Sequence, residues 1–397
     1  MSLLRDHGGG HAPVSYLELF FDLVFVFAIT QLSAFLHHDP SLLGFAQGMV
    51  LFLAVWWAWI FTTWAANWAE PERLPVRLLL IAVMLLGLVM SIALSGAYGK
   101  TGLLFAGAYV ALQLGRSLAM IPVFGAGNAS GRRNMLRIAL WFAASAVPWM
   151  VGAFAEPQER LLWWAGALAI EYLGPWCYFH VPALGRSTAQ DWDISGSHMA
   201  ERGALFVIIA LGEGIVVVGQ QVAHEGLDRE LAIPVLLAFA GSVLMWWLYF
   251  DLGARRGSEL IESHDQPGKV ARAAYTYLHM PIVAGIVMAA VADAVLIEHA
   301  RERAGLVLVA MQCGSLVVYL TGLGFFKRSS SARRIFPLSH LAGLVLLALL
   351  ALAGWLGPIT AVGLAALSAA VLALVAAWEW KSFHGGWIEL RPKAGRD

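Results

Sequence analysis

Charge is scarce in this 397-residue chain: Asp, Glu, Lys and Arg supply 13% of it, about half the share of an ordinary soluble domain, and 26 basic side chains cancel 26 acidic ones. A chain without net charge offers nucleic acid no electrostatic footprint, and it gives an acidic substrate no attraction. Cysteine is nearly absent. Cys177 and Cys313 lie far apart in apolar surroundings with neither CxxC nor metal-ligand spacing, which argues against a disulfide framework. Also lacking are a Walker loop, a Rossmann glycine pattern, HExxH and GxSxG, so ATP-driven pumping and the familiar hydrolase chemistries drop out and no cofactor is indicated. A cleavable leader is not expected either. The first apolar run carries Glu18 and Asp22, has only Arg5 ahead of it and lacks a small-residue cleavage site.

What the chain does have is apolar length. A hydrophobic share of 59% and a mean hydropathy of +0.70 exceed what a soluble domain can bury, and define an all-α polytopic membrane protein. Twelve runs approach the roughly 20 residues that a helix needs to cross the hydrocarbon. The first six are Leu17–Leu36, Gly44–Trp64, Val76–Ala97, Gly102–Phe124, Leu136–Phe154 and Leu161–Phe179. The others are Ala204–Val222, Leu231–Phe250, Tyr275–Ile297, Gly305–Phe326, Leu338–Trp355 and Ile359–Trp380. With a cytoplasmic N-terminus, the inner segments hold 20 Lys and Arg and the outer loops 5, while Arg116 lies within a span. That bias predicts an even span count with both termini cytoplasmic.

A weak internal repeat accompanies this count. The first span opens with Glu18 and precedes Trp56-Trp57-Ala58-Trp59; the seventh opens with Glu201 and precedes Trp246-Trp247-Leu248-Tyr249. Two parallel six-helix copies, with any central site between them, are the expectation. The boundaries would be residues 1–183 and 204–380, with a cytoplasmic linker at 184–203 and a cytoplasmic tail at 381–397.

Acidic side chains at membrane depth are too costly to face lipid, so each is a candidate site. Glu18 and Asp22, four residues apart, share one face of the first span. Glu18 reads as a helix start in the headgroup region. Asp22 is deeper, and reads as an ion or proton ligand. Glu213 lies about 18 Å beyond Glu201 along a helix, hence near mid-membrane, with Gly212 and Gly214 beside it to admit another backbone or a ligand. Gln220 and Arg202 fall on its face and complete a polar stripe. Arg116 and Glu171 are opposite in sign inside the fourth and sixth spans, so a mutual structural pair is expected. Further candidates are Asp251, Asp293, His279, which begins the ninth span, and the tryptophans Trp57 and Trp246, read first as belt or packing and second as a stacking platform. His37 and His38 lack metal-ligand spacing.

Several of these stretches resemble one family in combination. They are Glu18-Leu19-Phe20-Phe21-Asp22-Leu23-Val24-Phe25, Trp56-Trp57-Ala58-Trp59 with Asn67-Trp68 and Glu70-Pro71-Glu72, Ala200-Glu201-Arg202 through Gly212-Glu213, Trp246 through Asp251, and His279-Met280-Pro281-Ile282-Val283-Ala284-Gly285. Together they are similar to the bacterial low-temperature-requirement A family. The resemblance implies a multi-pass protein of the bacterial cytoplasmic membrane with a role in growth in the cold, and emphasis on Glu18, Asp22, Glu201, Arg202 and Glu213. Gly214 departs from the pattern, which has a small hydroxyl residue there. The functional expectation is a transporter or channel for a cation or a proton-coupled solute, with Asp22 and Glu213 in one cavity. The alternatives are a membrane enzyme or binder of a lipid- or quinone-like molecule, and a structural factor for cold growth. Expected partners are membrane lipids and a small ion or hydrophobic ligand.

Overall fold

The computed structural model describes residues 2–5, 13–188, 195–226, 228–251, 272–329 and 335–383. The expected linker at 184–203 and tail at 381–397 lie partly outside these residues.

The described chain is all-α, with twelve long helices: α1 (Tyr16–His38), α2 (Leu42–Trp68), α3 (Leu74–Leu94), α4 (Gly102–Val123), α5 (Ala129–Phe154), α6 (Pro157–Trp176), α7 (Gly196–Glu225), α8 (Arg229–Tyr249), α9 (His279–Glu298), α10 (Leu306–Ser329), α11 (Leu338–Leu356) and α12 (Ala361–Phe383). A π-helical turn, Arg272–Leu278, leads into α9. Eleven of the described helices are long and apolar enough to cross a membrane; α6, interrupted by Glu159, Arg160 and Glu171, is the one left out. Helix α7 begins eight residues before the expected Ala204, so Glu201 and Arg202 sit inside it.

Local chemistry sets the helix starts. Ser15 and Glu18 form a capping box at α1; Ser41 accepts from Gly44 N at α2, Asn128 from Gly131 N at α5, and Asp228 from Glu230 N and Leu231 N at α8. Proline stands in the first turn of α3 and α6, where its missing N–H leaves no bond unmade.

The solvent that these helices expect is legible on α3 and α11. On α3 the exposed positions Leu78, Ile81, Leu85, Leu88 and Ile92 follow one another at three- and four-residue steps, as do Leu338, Leu341, Val345, Leu349 and Leu352 on α11. A helical stripe of bare leucine and isoleucine would be untenable in water and is the ordinary lipid-facing surface of a span.

Contacts divide the chain into two units, one holding residues up to Glu213 and the segment ending at Met280, the other running from Gly214 to Gly257 and from Pro281 onward. In the first, α2 is the core: it packs on α1, α4 and α6, and Trp56, Trp57 and Trp59 are fully buried. In the second, α10, α11 and α12 pack on one another and α8 packs on α12. There α9 and α10 approach at Gly285, where an added Cβ would lie 2.6 Å from the Tyr319 backbone nitrogen, and at Gly322, 2.9 Å from that of Ile282.

Candidate functional site along α1 and α7

The first unit gathers its buried charge along one line. Residues 3–5 run antiparallel to 68–70 through Arg5 N to Trp68 O (2.9 Å) and Glu70 N to Leu3 O (2.9 Å), which brings Arg5 within 3.2 Å of Glu18. Glu18 is therefore more than the interfacial helix start expected of it. It closes the capping box and also faces His198 of α7 at 2.7 Å, with both side chains fully buried.

The histidine tautomer follows from its other neighbour. Asn67 Oδ1 accepts from Ser195 N (3.1 Å), which turns its amide nitrogen toward His198 Nδ1 at 3.1 Å. Nδ1 is thus an acceptor, and Nε2 carries the hydrogen donated to Glu18 Oε1.

One turn further along both helices, Arg202 Nη2 donates to Asp22 Oδ1 at 2.7 Å. The same oxygen accepts from Trp59 Nε1 at 2.9 Å, and the guanidinium lies over the rings of Phe21 and Trp59. Asp22 Oδ2, Arg202 Nε and Arg202 Nη1 are buried without hydrogen-bond partners among the described residues. Further on, Thr30 Oγ1 donates to Glu213 Oε2 at 2.6 Å, while Glu213 Oε1 is buried and unpartnered among the described residues.

These pairings, Glu18 with His198, Asp22 with Arg202 and Thr30 with Glu213, ascend both helices together, so α1 and this part of α7 run parallel. Asp22 and Glu213 both face this seam. They occupy separate levels of one seam, since Asp22 and the Thr30 partner of Glu213 stand eight residues, or about 12 Å, apart on α1.

The remaining candidates disperse. Glu201, partly buried, accepts from Val14 N at 3.3 Å. Gln220 is exposed and lies in the second unit, so the polar stripe ends at Glu213. The glycine that meets a close neighbour is Gly203, whose added Cβ would lie 3.0 Å from the Tyr275 ring, whereas one at Gly212 would meet nothing within 4 Å. Arg116 and Glu171 form no direct pair. Arg116 donates to Gln113 Oε1 (2.6 Å), Gln113 Nε2 to the Tyr109 hydroxyl (3.0 Å), and that hydroxyl to Glu171 (2.5 Å). Ser145 and Trp149 complete the carboxylate's shell, so neutral side chains fill the space that a salt bridge would need. His279 donates Nδ1–H to Ala274 O at 3.0 Å, and Trp57 is buried with its ring stacked on Tyr172 at 3.8 Å. Asp251 is exposed, as are Trp246 and Trp247, which suits an interfacial belt. Asp293 is buried in α9.

Sequence reasoning missed His198, Trp59 and Thr30 in this seam. For His198 a signal existed: His198 and Arg202 are four residues apart, the spacing of Glu18 and Asp22. It also missed a cluster in the second unit, where Glu379 holds Lys327 at 2.5 Å and His340 Nδ1 at 3.2 Å.

Residues 13–377, nearly the whole chain and including every member of the seam except Arg5, match the family described as bacterial low temperature requirement A protein (LtrA). The chain belongs to the LtrA family. It is also 41% identical over 380 residues to an uncharacterized protein of Rhizobium meliloti (strain 1021), covering 95% of this chain and 91% of that one. No solved structure matches. The LtrA assignment and the eleven apolar helices among the described residues make this a multi-pass membrane protein, and the α1–α7 seam buries Glu18, Asp22, His198, Arg202 and Glu213 along one helix pair.

Proposed function

We propose that this LtrA protein is a transporter of the cytoplasmic membrane that couples movement of a small solute to protons, with the α1–α7 seam as the coupling element. The observation that carries this reading is the geometry at Thr30. Its single hydroxyl hydrogen has two acceptors within reach, Glu213 Oε2 at 2.6 Å and Val26 O at 3.2 Å. With Glu213 ionised, Thr30 donates to the carboxylate. With Glu213 protonated, the acid donates to Thr30 Oγ1 and the hydroxyl turns to Val26 O. Glu213 can therefore take up or release a proton near mid-span while its contact with Thr30 persists.

Below it, Asp22–Arg202 and Glu18–His198 extend polar chemistry down to Arg5, a buried line that a span lacking a transport role has little reason to keep. The parallel course of α1 and α7 supports the further reading of two parallel six-helix copies. The excess of basic residues in alternate segments supports cytoplasmic placement of the termini.

The test is reconstitution into liposomes with a lumenal pH dye, challenged with a panel of small solutes under an imposed pH gradient. Solute-dependent proton movement is expected, reduced at least tenfold in Glu213→Gln and retained in Gln220→Ala. Folded wild-type protein that moves no protons with any solute, or Glu213→Gln that matches wild type, would exclude the proposal.

A further inference from the structure

Beside the seam, α1 and α7 leave a groove of about 360 Å³ open to the protein's surface. Its walls are Leu19, Phe20 and Leu23 of α1 and Leu205, Ile208 and Ile209 of α7, with Tyr16 at the mouth and Asp22 contributing to the lining. Phe20, Leu23 and Ile208 are each about half exposed, and on a membrane span such exposure is to acyl chains. The Asp22 side chain is 1% exposed, yet it lines this groove, and its Oδ2 has no partner among the described residues. An apolar cleft of this size with one polar group at its floor is the general form of a small-molecule site.

The charges at the floor select the occupant. Oδ1 already accepts from Arg202 and Trp59, so the ion pair is neutral and Oδ2 is the carboxylate oxygen without a partner among the described residues; Arg202, whose Nε and Nη1 are likewise unpartnered there, does not line the groove. An ammonium head would put a second cation on a carboxylate that has one, and a phosphate or carboxylate head would meet a like charge. A neutral hydroxyl donates one hydrogen bond to Oδ2 and adds no charge. Depth agrees with this. Asp22 lies six residues past Tyr16, about 9 Å below the start of α1, where a small hydroxyl head can sink and a zwitterionic phospholipid head cannot.

We infer that the groove binds a neutral, hydroxyl-headed lipid taken from the bilayer, such as a long-chain alcohol or a diacylglycerol, with its hydroxyl on Asp22 Oδ2 and its chain along Phe20, Leu23 and Ile208. This site stands independently of whether Glu213 carries protons.

The test uses the full chain in phosphatidylcholine vesicles with three photoactivatable probes of one chain length: a primary alcohol, its methyl ether and its trimethylammonium analogue. The alcohol is expected to label peptides containing Leu19–Leu23 and Leu205–Ile209 about fivefold more than the ether, the worth of one hydrogen bond. Unlabelled alcohol should compete that labelling away. Ile208→Trp enlarges a half-exposed side chain of the groove wall and, in protein shown to be folded by gel filtration, should abolish the preference. Equal labelling by alcohol and ether, stronger labelling by the ammonium probe, no labelling by the alcohol, or an undiminished preference in Ile208→Trp would each overturn the proposal.

Discussion

Because Arg202 places one nitrogen on Asp22 and its plane over Phe21 and Trp59, taking away either charge leaves the other buried without compensation. Breaking such a pair from one side costs about 3–5 kcal/mol, whereas removing both charges together costs far less. Arg202→Gln and Asp22→Asn should therefore each lower the thermal unfolding midpoint in detergent. The double variant should recover much of the loss, and that non-additivity is the readout that separates a coupled pair from two independent sites. If the double variant melts at the sum of the two losses, the pair contributes nothing jointly. The acidic half of this arrangement was visible in the sequence, since two carboxylates one turn apart in an apolar run have few tolerable environments. The basic half was harder to read. Arg202 falls on the face of Glu213, but nothing local in the sequence says that this face meets α1 across 180 residues of chain. Trp59 was hidden for a related reason, because a tryptophan among tryptophans reads as packing until its indole nitrogen has an acceptor.

Among helices, small residues decide which backbones can meet. The motif His279-Met280-Pro281-Ile282-Val283-Ala284-Gly285 ends on the glycine where α9 and α10 come closest, and the atoms facing it are Tyr319 N, Tyr319 Cβ and Ser315 O. Two of the three are backbone and cannot swing aside, so Gly285→Ala must push the helices apart. Gly107, inside α4, is the natural control, since an added Cβ there meets nothing within 4 Å. Gly107→Ala should be neutral or stabilising by up to about 1 kcal/mol, because alanine is the better helix former. Gly285→Ala should instead lose folded yield and melt earlier, as measured by fluorescence-detected gel filtration after a heat step. Equal behaviour of the two variants would mean that α9 and α10 are not held together tightly at Gly285. Hydropathy alone located both helices, because a run of about 20 apolar residues is a local property. Which glycines are contacts is not local: of the two expected on α7, Gly214 has Ser242 Oγ at 3.6 Å and Ala290 Cβ at 3.7 Å from an added Cβ and Gly212 has nothing within 4 Å, while the more crowded position is Gly203.

The direction of α7 carries information about the whole crossing pattern of the first unit. Helices α1 and α7 run parallel, and five helices, α2 to α6, lie between them. If each crosses the bilayer, α7 re-enters in the same sense as α1; if α6 failed to cross, α7 would run antiparallel. The pairing of Glu18, Asp22 and Thr30 with His198, Arg202 and Glu213 therefore argues that α6 is a true span, although it is the helix whose composition falls short. Its shortfall has a physical account: Glu171 is satisfied by Tyr109, Ser145 and Trp149, and Arg160 by the carbonyls of Ala97, Gly99 and Gly152, so these two never meet lipid, while the exposed Glu159 stands in the first turn, at the end of the segment. The expectation is that Glu156 and Arg186, at opposite ends of the α6 segment, face opposite sides of the membrane. With Cys177 and Cys313 replaced by serine, Glu156→Cys in intact cells should react with a membrane-impermeant thiol reagent added outside. Arg186→Cys should react only after permeabilisation. Labelling of both from one side would remove α6 from the spans and, with it, the even crossing count on which cytoplasmic placement of both termini rests.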